Sequence, residues 1–142
     1  MNTTIQKVAL VFGIAFVLAA ISGFIIPGGM GMESDPMLAP KALGLFPINL
    51  LHNVVHLAFG VWGLAASRSF SGSRTYARLA GVLYALLIPL GFLVPNGFGL
   101  IPLGGNDPYL HILLAVPLIY FGFTTKDTAT PATTVGGARP IA

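Results

Sequence analysis

Residues 45–64 carry the sequence LFPINLLHNVVHLAFGVWGL, an apolar run interrupted by four polar side chains. The interruptions are two asparagines and two histidines: Asn49, His52, Asn53 and His56. Polar side chains at membrane depth are costly, so they usually face a bundle interior or a cavity. Steps of four and three place one set of residues on a single helix face: Asn49, Asn53, His56, Gly60 and Gly63. We therefore expect the rest of the chain to cover this face.

The composition of the chain indicates an integral membrane protein. Of its 142 residues, 55% are hydrophobic and 8% are charged, and the mean hydropathy is +0.85. Soluble domains carry about 25% charged residues. The net charge of +3 does not indicate nucleic-acid binding, because the basic residues lie at the ends of the predicted helices. The chain has no cysteine, which excludes disulfides, thiol catalysis and cysteine-ligated metals.

Four apolar segments are separated by polar stretches or by stretches rich in glycine and proline. They predict membrane-spanning helices at residues 8–26, 45–66, 79–94 and 108–123. At about 1.5 Å per residue, the first crosses a hydrocarbon core of roughly 30 Å. The predicted fold is an all-α integral membrane four-helix bundle within residues 1–123. Residues 124–142 are rich in Thr, Ala, Pro and Gly, so we expect a disordered tail.

The connections between the segments predict an orientation. Residues 67–78 predict a short polar connection, and Asp107 followed by Pro108 has the pattern of an N-cap and a first helical residue. The basic residues concentrate on one side of the predicted membrane: Lys7, Arg68, Arg74, Arg78, Lys126 and Arg139. The other side has Lys41 alone. The positive-inside rule therefore places both termini and the tail in the cytoplasm.

The two halves of the chain resemble each other. An offset of 68 residues aligns several glycines and prolines: Gly13 with Gly81, Gly23 with Gly91, Pro27 with Pro95 and Gly29 with Gly97. An offset of 55 residues aligns Pro47 with Pro102 and His56 with His111. The change of offset indicates a 13-residue insertion in the first outer loop. We therefore expect two tandem helical hairpins related by a pseudo-two-fold axis along the membrane normal.

Two motifs carry a resemblance to a known family. The first is N-x-x-H-x-x-x-G-x-x-G-L, from Asn53 to Leu64, and the second is G-L-I-P-L-G-G-N-D-x-x-L-H, from Gly99 to His111. With these motifs the chain resembles a bacterial domain-of-unknown-function family of small four-span membrane proteins. The resemblance implies a multi-pass protein of the bacterial inner membrane. It implies no established activity and no catalytic residues.

Three histidines are the candidate ligand-binding residues: His52, His56 and His111. Neutral imidazole is a good ligand for zinc, copper and haem iron, and His52 and His56 share a helix face. The first hypothesis is a copper or zinc site, and the second is a haem or chlorophyll held between the repeat-related His56 and His111. Four residues would support these ligands: Asn49, Asn53, Tyr84 and Asp107. The alternative is that the histidines form hydrogen bonds across the bundle and fix its register.

Two further groups of residues have structural interpretations. The glycines predict close helix packing: Gly13, Gly60, Gly63, Gly81 and Gly91. Met30, Met32 and Met37 lie in the first outer loop, where thioethers could hold copper(I) or serve as apolar cover. We expect the three histidines to converge near the outer surface.

These observations leave three functional hypotheses and predict no enzyme. No phosphate loop and no hydrolase motif occurs in the sequence. The first hypothesis is a structural or accessory subunit that docks on other membrane protein subunits or on itself, with the lipid bilayer as its surroundings. The second is a metal- or tetrapyrrole-binding membrane protein. The third is an oligomeric small-solute transporter or channel.

Overall fold

The structure is a computed structural model that describes residues 3–127. Five helices and one pair of two-residue strands follow one another along the chain: α1 (Thr4–Ile25), β1 (Lys41–Ala42), β2 (Phe46–Pro47), α2 (Leu50–Ala66), α3 (Phe70–Leu93), α4 (Gly97–Leu100) and α5 (Asp107–Thr124). The all-α prediction is confirmed, apart from the small antiparallel β1–β2 pair. Of the predicted tail, residues 128–142 lie outside the described residues.

Three of the helices are long and apolar enough to cross a membrane: α1, α3 and α5. Helix α2 is also apolar but has 17 residues. Helix α1 packs mainly along α2, and α3 packs mainly along α5, with smaller contacts between α1 and α3 and between α2 and α3. The pair β1–β2 and the short α4 cover one end of these four long helices, which we call the loop end.

The observed helix starts correct three of the predicted boundaries. Helix α1 begins at Thr4, before the predicted residue 8, because Thr3 and Gln6 form a capping box. Helix α2 begins at Leu50, after the predicted residue 45, because the preceding residues pair in β2 and Asn49 is the N-cap. The Asn49 side chain accepts a hydrogen bond from the His52 backbone N–H. Asn49 is therefore a cap and does not continue the helix face that the spacing predicted.

Residues 67–78 are not a polar connection, because most of them belong to α3. The Ser69 side chain caps α3 by accepting a hydrogen bond from the Gly72 backbone N–H. Arg74 and Arg78 lie on α3, whereas Arg68 precedes it. Arg78 donates from Nε to the Gly122 carbonyl at 2.8 Å, and its guanidinium lies 4.9 Å from the centre of the Phe123 ring. Helix α3 therefore begins at Phe70, and one of its two arginines, Arg78, contacts α5.

The five predicted packing glycines lie at close contacts with other parts of the chain. A Cβ atom at Gly13 would lie 2.7 Å from the Leu64 backbone nitrogen, and Gly60 and Gly63 face Gly13 from α2. A Cβ atom at Gly81 would lie 2.9 Å from the Ile119 nitrogen, and one at Gly91 would overlap the Leu103 carbonyl oxygen. These glycines let the paired helices, and the segment that follows α4, approach backbone to backbone.

The correspondence between the two halves extends to backbone conformation. Four residues with left-handed φ form two pairs at the offset of 55: Leu43 (53°) with Phe98 (60°), and Gly44 (69°) with Gly99 (83°). The same offset relates two hydrogen bonds of 2.8 Å: Ile48 N–H to Pro40 O, and Leu103 N–H to Pro95 O. The offset of 68 relates another pair: Gly29 N–H to Ile26 O, and Gly97 N–H to Val94 O, also at 2.8 Å. The additional residues of the first half therefore lie between Gly29 and Pro40.

Candidate functional site

The three histidines lie in the first two turns of α2 and α5, at the loop end of the helices. All three are buried: the exposed fractions are 4% for His52, 8% for His56 and 2% for His111. The rings of His52 and His56 meet edge to face, with centroids 4.5 Å apart. His111 lines the same cavity as both of them. The structure thus brings together the residues that the sequence singled out.

Two aromatic rings pack between the histidines of the two halves. Phe16 and Tyr84, which are equivalent at the offset of 68, stack nearly parallel with ring centroids 5.4 Å apart. Phe16 contacts His56 at 5.5 Å, and Tyr84 contacts His111 at 5.3 Å. Since His56 and His111 are also equivalent, the two contacts are copies of one arrangement. The stacked pair of Phe16 and Tyr84 therefore lies between His56 and His111.

Asp107 differs from its predicted role as a helix N-cap. The cap position of α5 is Asn106, and Asp107 is the first helical residue. Its carboxylate turns inward, leaving 1% of the residue exposed, and Oδ2 lies 3.3 Å from His111 Nε2 one turn further along. The i,i+4 spacing on a helix places these two side chains side by side. Asp107 thus belongs to the histidine cluster.

The two predicted supporting asparagines connect α2 to the loops above it. Asn53 donates from Nδ2 to the Gly29 carbonyl at 2.9 Å, and Asn49 donates from Nδ2 to the Leu100 carbonyl at 2.7 Å. Both side chains are completely buried. The Asn53 amide also occupies the space that a Cβ atom at Gly23 would need. These asparagines position the loop end over the histidines.

The first cavity has a volume of about 260 Å³ and lies between α2, α3 and the segment around α4. Four polar side chains line it: His52, His56, Tyr84 and His111. The remaining lining residues are apolar or glycine: Val55, Phe59, Leu83, Leu87, Leu90, Gly97, Phe98, Leu100, Ile101 and Leu103. Leu83 and Phe98 are 41% and 74% exposed, so the cavity reaches the molecular surface.

The second cavity has a volume of about 390 Å³ and lies between α1, α5 and the β1–β2 pair. His52 and His56 border it from the opposite side to the first cavity, and Asp107 and Leu110 border it from α5. Leu18 and Leu43 are 60% and 85% exposed, so this cavity also reaches the surface. The repeat relates the two cavities, because Asp107 and Leu110 of the second are equivalent to His52 and Val55 of the first.

Several buried polar atoms of the cluster lack a hydrogen-bond partner among the described residues. They are Oδ1 of Asn53, the Tyr84 hydroxyl and both carboxylate oxygens of Asp107. The imidazoles of His52 and His111 interact with backbone groups of Pro47 and Leu87. An unsatisfied buried donor or acceptor costs roughly 1–3 kcal/mol. Because such groups are rare in folded proteins, a concentration of them beside two cavities points to a ligand-binding region.

The structure places the candidate metal ligands, the histidines and the loop methionines, in different surroundings. Within residues 3–127, no three histidine, aspartate or glutamate side chains are grouped so that they could hold a metal ion. Met30, Met32 and Met37 are 65%, 53% and 79% exposed, and none of these three lines either cavity. The rings of His56 and His111 contact Phe16 and Tyr84, and His111 also contacts the Asp107 carboxylate. Of the four predicted supporting residues, Asn49 accepts a hydrogen bond from the His52 backbone N–H.

The comparisons with known proteins identify the family. A family model described as a domain of unknown function, DUF4383, matches residues 6–124. The chain belongs to the DUF4383 family. No curated protein and no solved structure matches it. The DUF4383 match spans all the helices that surround the cavities, so the candidate site lies wholly within the family's domain.

Sequence reasoning missed some residues of the site. Phe16 was not singled out, although the offset of 68 that aligned Gly13 with Gly81 also aligns Phe16 with Tyr84. The repeat could therefore have identified Phe16 as a residue of the site in this DUF4383 chain. The residues of the segment around α4 that close the first cavity, such as Phe98 and Ile101, had no local signal, because their position depends on the left-handed turn.

Proposed function

We propose that this protein is a multi-pass four-helix bundle of the bacterial inner membrane that binds a small lipid-soluble molecule whose head accepts hydrogen bonds. Support for the bundle comes from the three helices of membrane-spanning length and from the pairing of α1 with α2 and of α3 with α5. The basic residues between α2 and α3 support cytoplasmic termini. The loop end with its two cavities then faces outward.

The exposed surface is consistent with a bilayer environment. Large apolar side chains are exposed on all four long helices, for example Leu18 on α1, Val61 on α2, Leu86 on α3 and Val116 on α5. Lipid contact requires such a surface on every side of a bundle. These side chains therefore do not mark one face as the interface of an accessory subunit. The two cavities, in contrast, are localised features in which a ligand could bind.

The single observation that carries the proposal is the unpartnered Tyr84 hydroxyl among the imidazoles of the first cavity. That hydroxyl is a hydrogen-bond donor with no partner among the described residues, and His52, His56 and His111 line the same cavity. These groups surround one region of an otherwise apolar cavity. A quinone or a similar carbonyl compound fits this environment, because its oxygens accept hydrogen bonds and its remaining surface is apolar.

The test is direct binding of a quinone to the purified protein. Tritium-labelled decylubiquinone should bind saturably to the full chain in mild detergent, measured by scintillation proximity. Decylbenzene, which has the tail without the carbonyl oxygens, should compete poorly. Leu83→Trp places a larger ring in the cavity and should weaken binding about tenfold or more, the loss expected when an apolar contact of about 1.4 kcal/mol is blocked.

A matched variant controls for general effects of the added tryptophan. Val82 is 44% exposed and does not line the cavity, so Val82→Trp should bind the quinone like the unmodified chain. Both variants are first checked for a monodisperse elution profile. Absence of saturable quinone binding, or equal affinity of the two variants, would overturn the proposal.

A further inference from the structure

The second cavity differs in chemistry from the first, although the repeat makes the two equivalent. Asp107 stands in the second cavity where His52 stands in the first, and Phe16 is the equivalent of Tyr84. The second cavity thus has a carboxylate in place of an imidazole, and the counterpart of the Tyr84 phenol does not line it. The first cavity offers hydrogen-bond donors, whereas the second offers an acceptor that can carry a negative charge.

The Asp107 carboxylate is the polar group of the second cavity that most needs a partner. The residue is 1% exposed, and neither of its oxygens accepts a hydrogen bond from another described residue. His111 lies 3.3 Å from Oδ2 without hydrogen-bond geometry, so it occupies one side of one oxygen. A carboxylate has about four acceptor sites, and burying it without donors is costly. A ligand that brings both N–H donors and a positive charge would satisfy it.

From these contacts we infer that the second cavity binds a lipid-soluble amine through Asp107. The ammonium head lies against the carboxylate, where charge-assisted hydrogen bonds are stronger than neutral ones. The alkyl portion lies against the apolar lining, which includes Leu18, Ala19, Ile48 and Leu110. Leu18 and Leu43 at the rim are exposed, so the amine enters from the lipid side.

The charges around this cavity are compatible with a cationic ligand. Lys41 lies next to Ala42 at the rim, but its ammonium group is bound to the Met37 carbonyl at 3.3 Å. His52 and His56 border the cavity, and in the neutral state each imidazole accepts a hydrogen bond through one ring nitrogen. The inferred site is separate from the proposed quinone site, because it depends on the Asp107 carboxylate and on α1, neither of which lines the first cavity.

The experiment measures binding of tritium-labelled decylamine to the full chain in detergent by scintillation proximity, with unlabelled decylamine and decan-1-ol as competitors. We expect saturable binding for which the amine competes and the alcohol competes at least tenfold less well. Asp107→Asn keeps the size of the side chain and removes its charge. It should weaken amine binding about tenfold to 100-fold, the range set by hydrogen bonds to charged groups. Asp35→Asn, in the exposed loop, should leave binding unchanged.

A second pair of variants leaves the carboxylate in place, so the inference stays testable if Asp107→Asn folds poorly. Ala19→Trp fills the second cavity and should abolish amine binding while retaining the quinone affinity of the first cavity. Ile21→Trp, on an exposed part of α1 outside the cavity, should bind the amine normally. Equal amine affinity in the unmodified chain and Asp107→Asn would overturn the inference. Mutual competition between decylamine and decylubiquinone would also overturn it, since both would then occupy one site. Loss of quinone binding alone would overturn only the proposed function.

Discussion

The Tyr84 hydroxyl offers the sharpest test of the first cavity, because removing it should change stability and binding in opposite directions. Tyr84 is 2% exposed and its hydroxyl has no hydrogen-bond partner among the described residues. Its ring stacks on Phe16 and contacts Phe59 and His111. Tyr84→Phe keeps these ring contacts and deletes the oxygen alone, and the equivalent residue of the other half, Phe16, is already a phenylalanine.

The magnitude follows from the cost of the unsatisfied hydroxyl. A buried orphan group costs about 1–3 kcal/mol in soluble proteins, and hydrogen-bond differences in membrane proteins average about 0.6 kcal/mol. We therefore expect Tyr84→Phe to raise the free energy of unfolding of the unliganded protein by about 0.5–1.5 kcal/mol. The bound quinone loses one hydrogen bond of about 0.5–1.5 kcal/mol, which weakens its affinity about two- to thirteenfold.

Tyr76 provides a matched control within the same chain. Its hydroxyl is also buried without a partner, but its ring lies against Trp62 and it lines neither cavity. Tyr76→Phe should therefore raise stability by a similar amount and leave quinone affinity unchanged. Unfolding is followed in detergent micelles by the fluorescence of the single tryptophan, Trp62, and affinity by labelled decylubiquinone. A less stable Tyr84→Phe, or unchanged quinone affinity in it, would refute the reasoning.

Two other predictions concern the fold and its orientation. Gly13→Ala should lower the free energy of unfolding by about 1–3 kcal/mol, because the new Cβ would lie 2.7 Å from the Leu64 nitrogen. The control is Val11→Ala on the exposed face of α1, which should change the free energy of unfolding in micelles by no more than about 0.5 kcal/mol. Equal effects of Gly13→Ala and Val11→Ala would contradict the close packing at Gly13. Because the chain has no cysteine, Met37→Cys and Thr75→Cys each introduce a single thiol. A membrane-impermeant maleimide should label Met37→Cys in intact cells and Thr75→Cys only after lysis, and the reverse pattern would contradict cytoplasmic termini.

The long helices could be predicted from the sequence because their signal is local. The apolar runs are longer than strands of soluble proteins, and each helix has only one charged residue, near its start, so hydropathy alone identifies α1 and α5. The start of α3 was missed because Arg74 and Arg78 look like loop residues. Ser69, which caps α3, was a local signal for the helix start that the prediction did not use. The contact of Arg78 with the Gly122 carbonyl is long-range, and no local pattern reports it.

The cluster of polar side chains was predicted better than the roles of its members. The i,i+4 spacing places His52 beside His56, and the structure brings His111 to the same cavity, while their role as ligands stays a prediction. Asp107 was wrong as a cap because Asp-Pro is a strong local signal for a helix start. The Asp107 side chain turns inward, where it lies beside His111 one turn further along the same helix. The cavities themselves depend on helix rotation and on left-handed Leu43 and Phe98, which sequence patterns do not report.

The two halves of the chain share their packing residues but differ in polar residues of the cavities. The positions that hold helices together are matched in both halves, as Gly13 with Gly81 and Gly23 with Gly91 illustrate. Positions in or next to the cavities differ: Asp107 stands in the place of His52, and Phe16, which lines neither cavity, is equivalent to Tyr84. The two cavities therefore share one scaffold but present different polar groups.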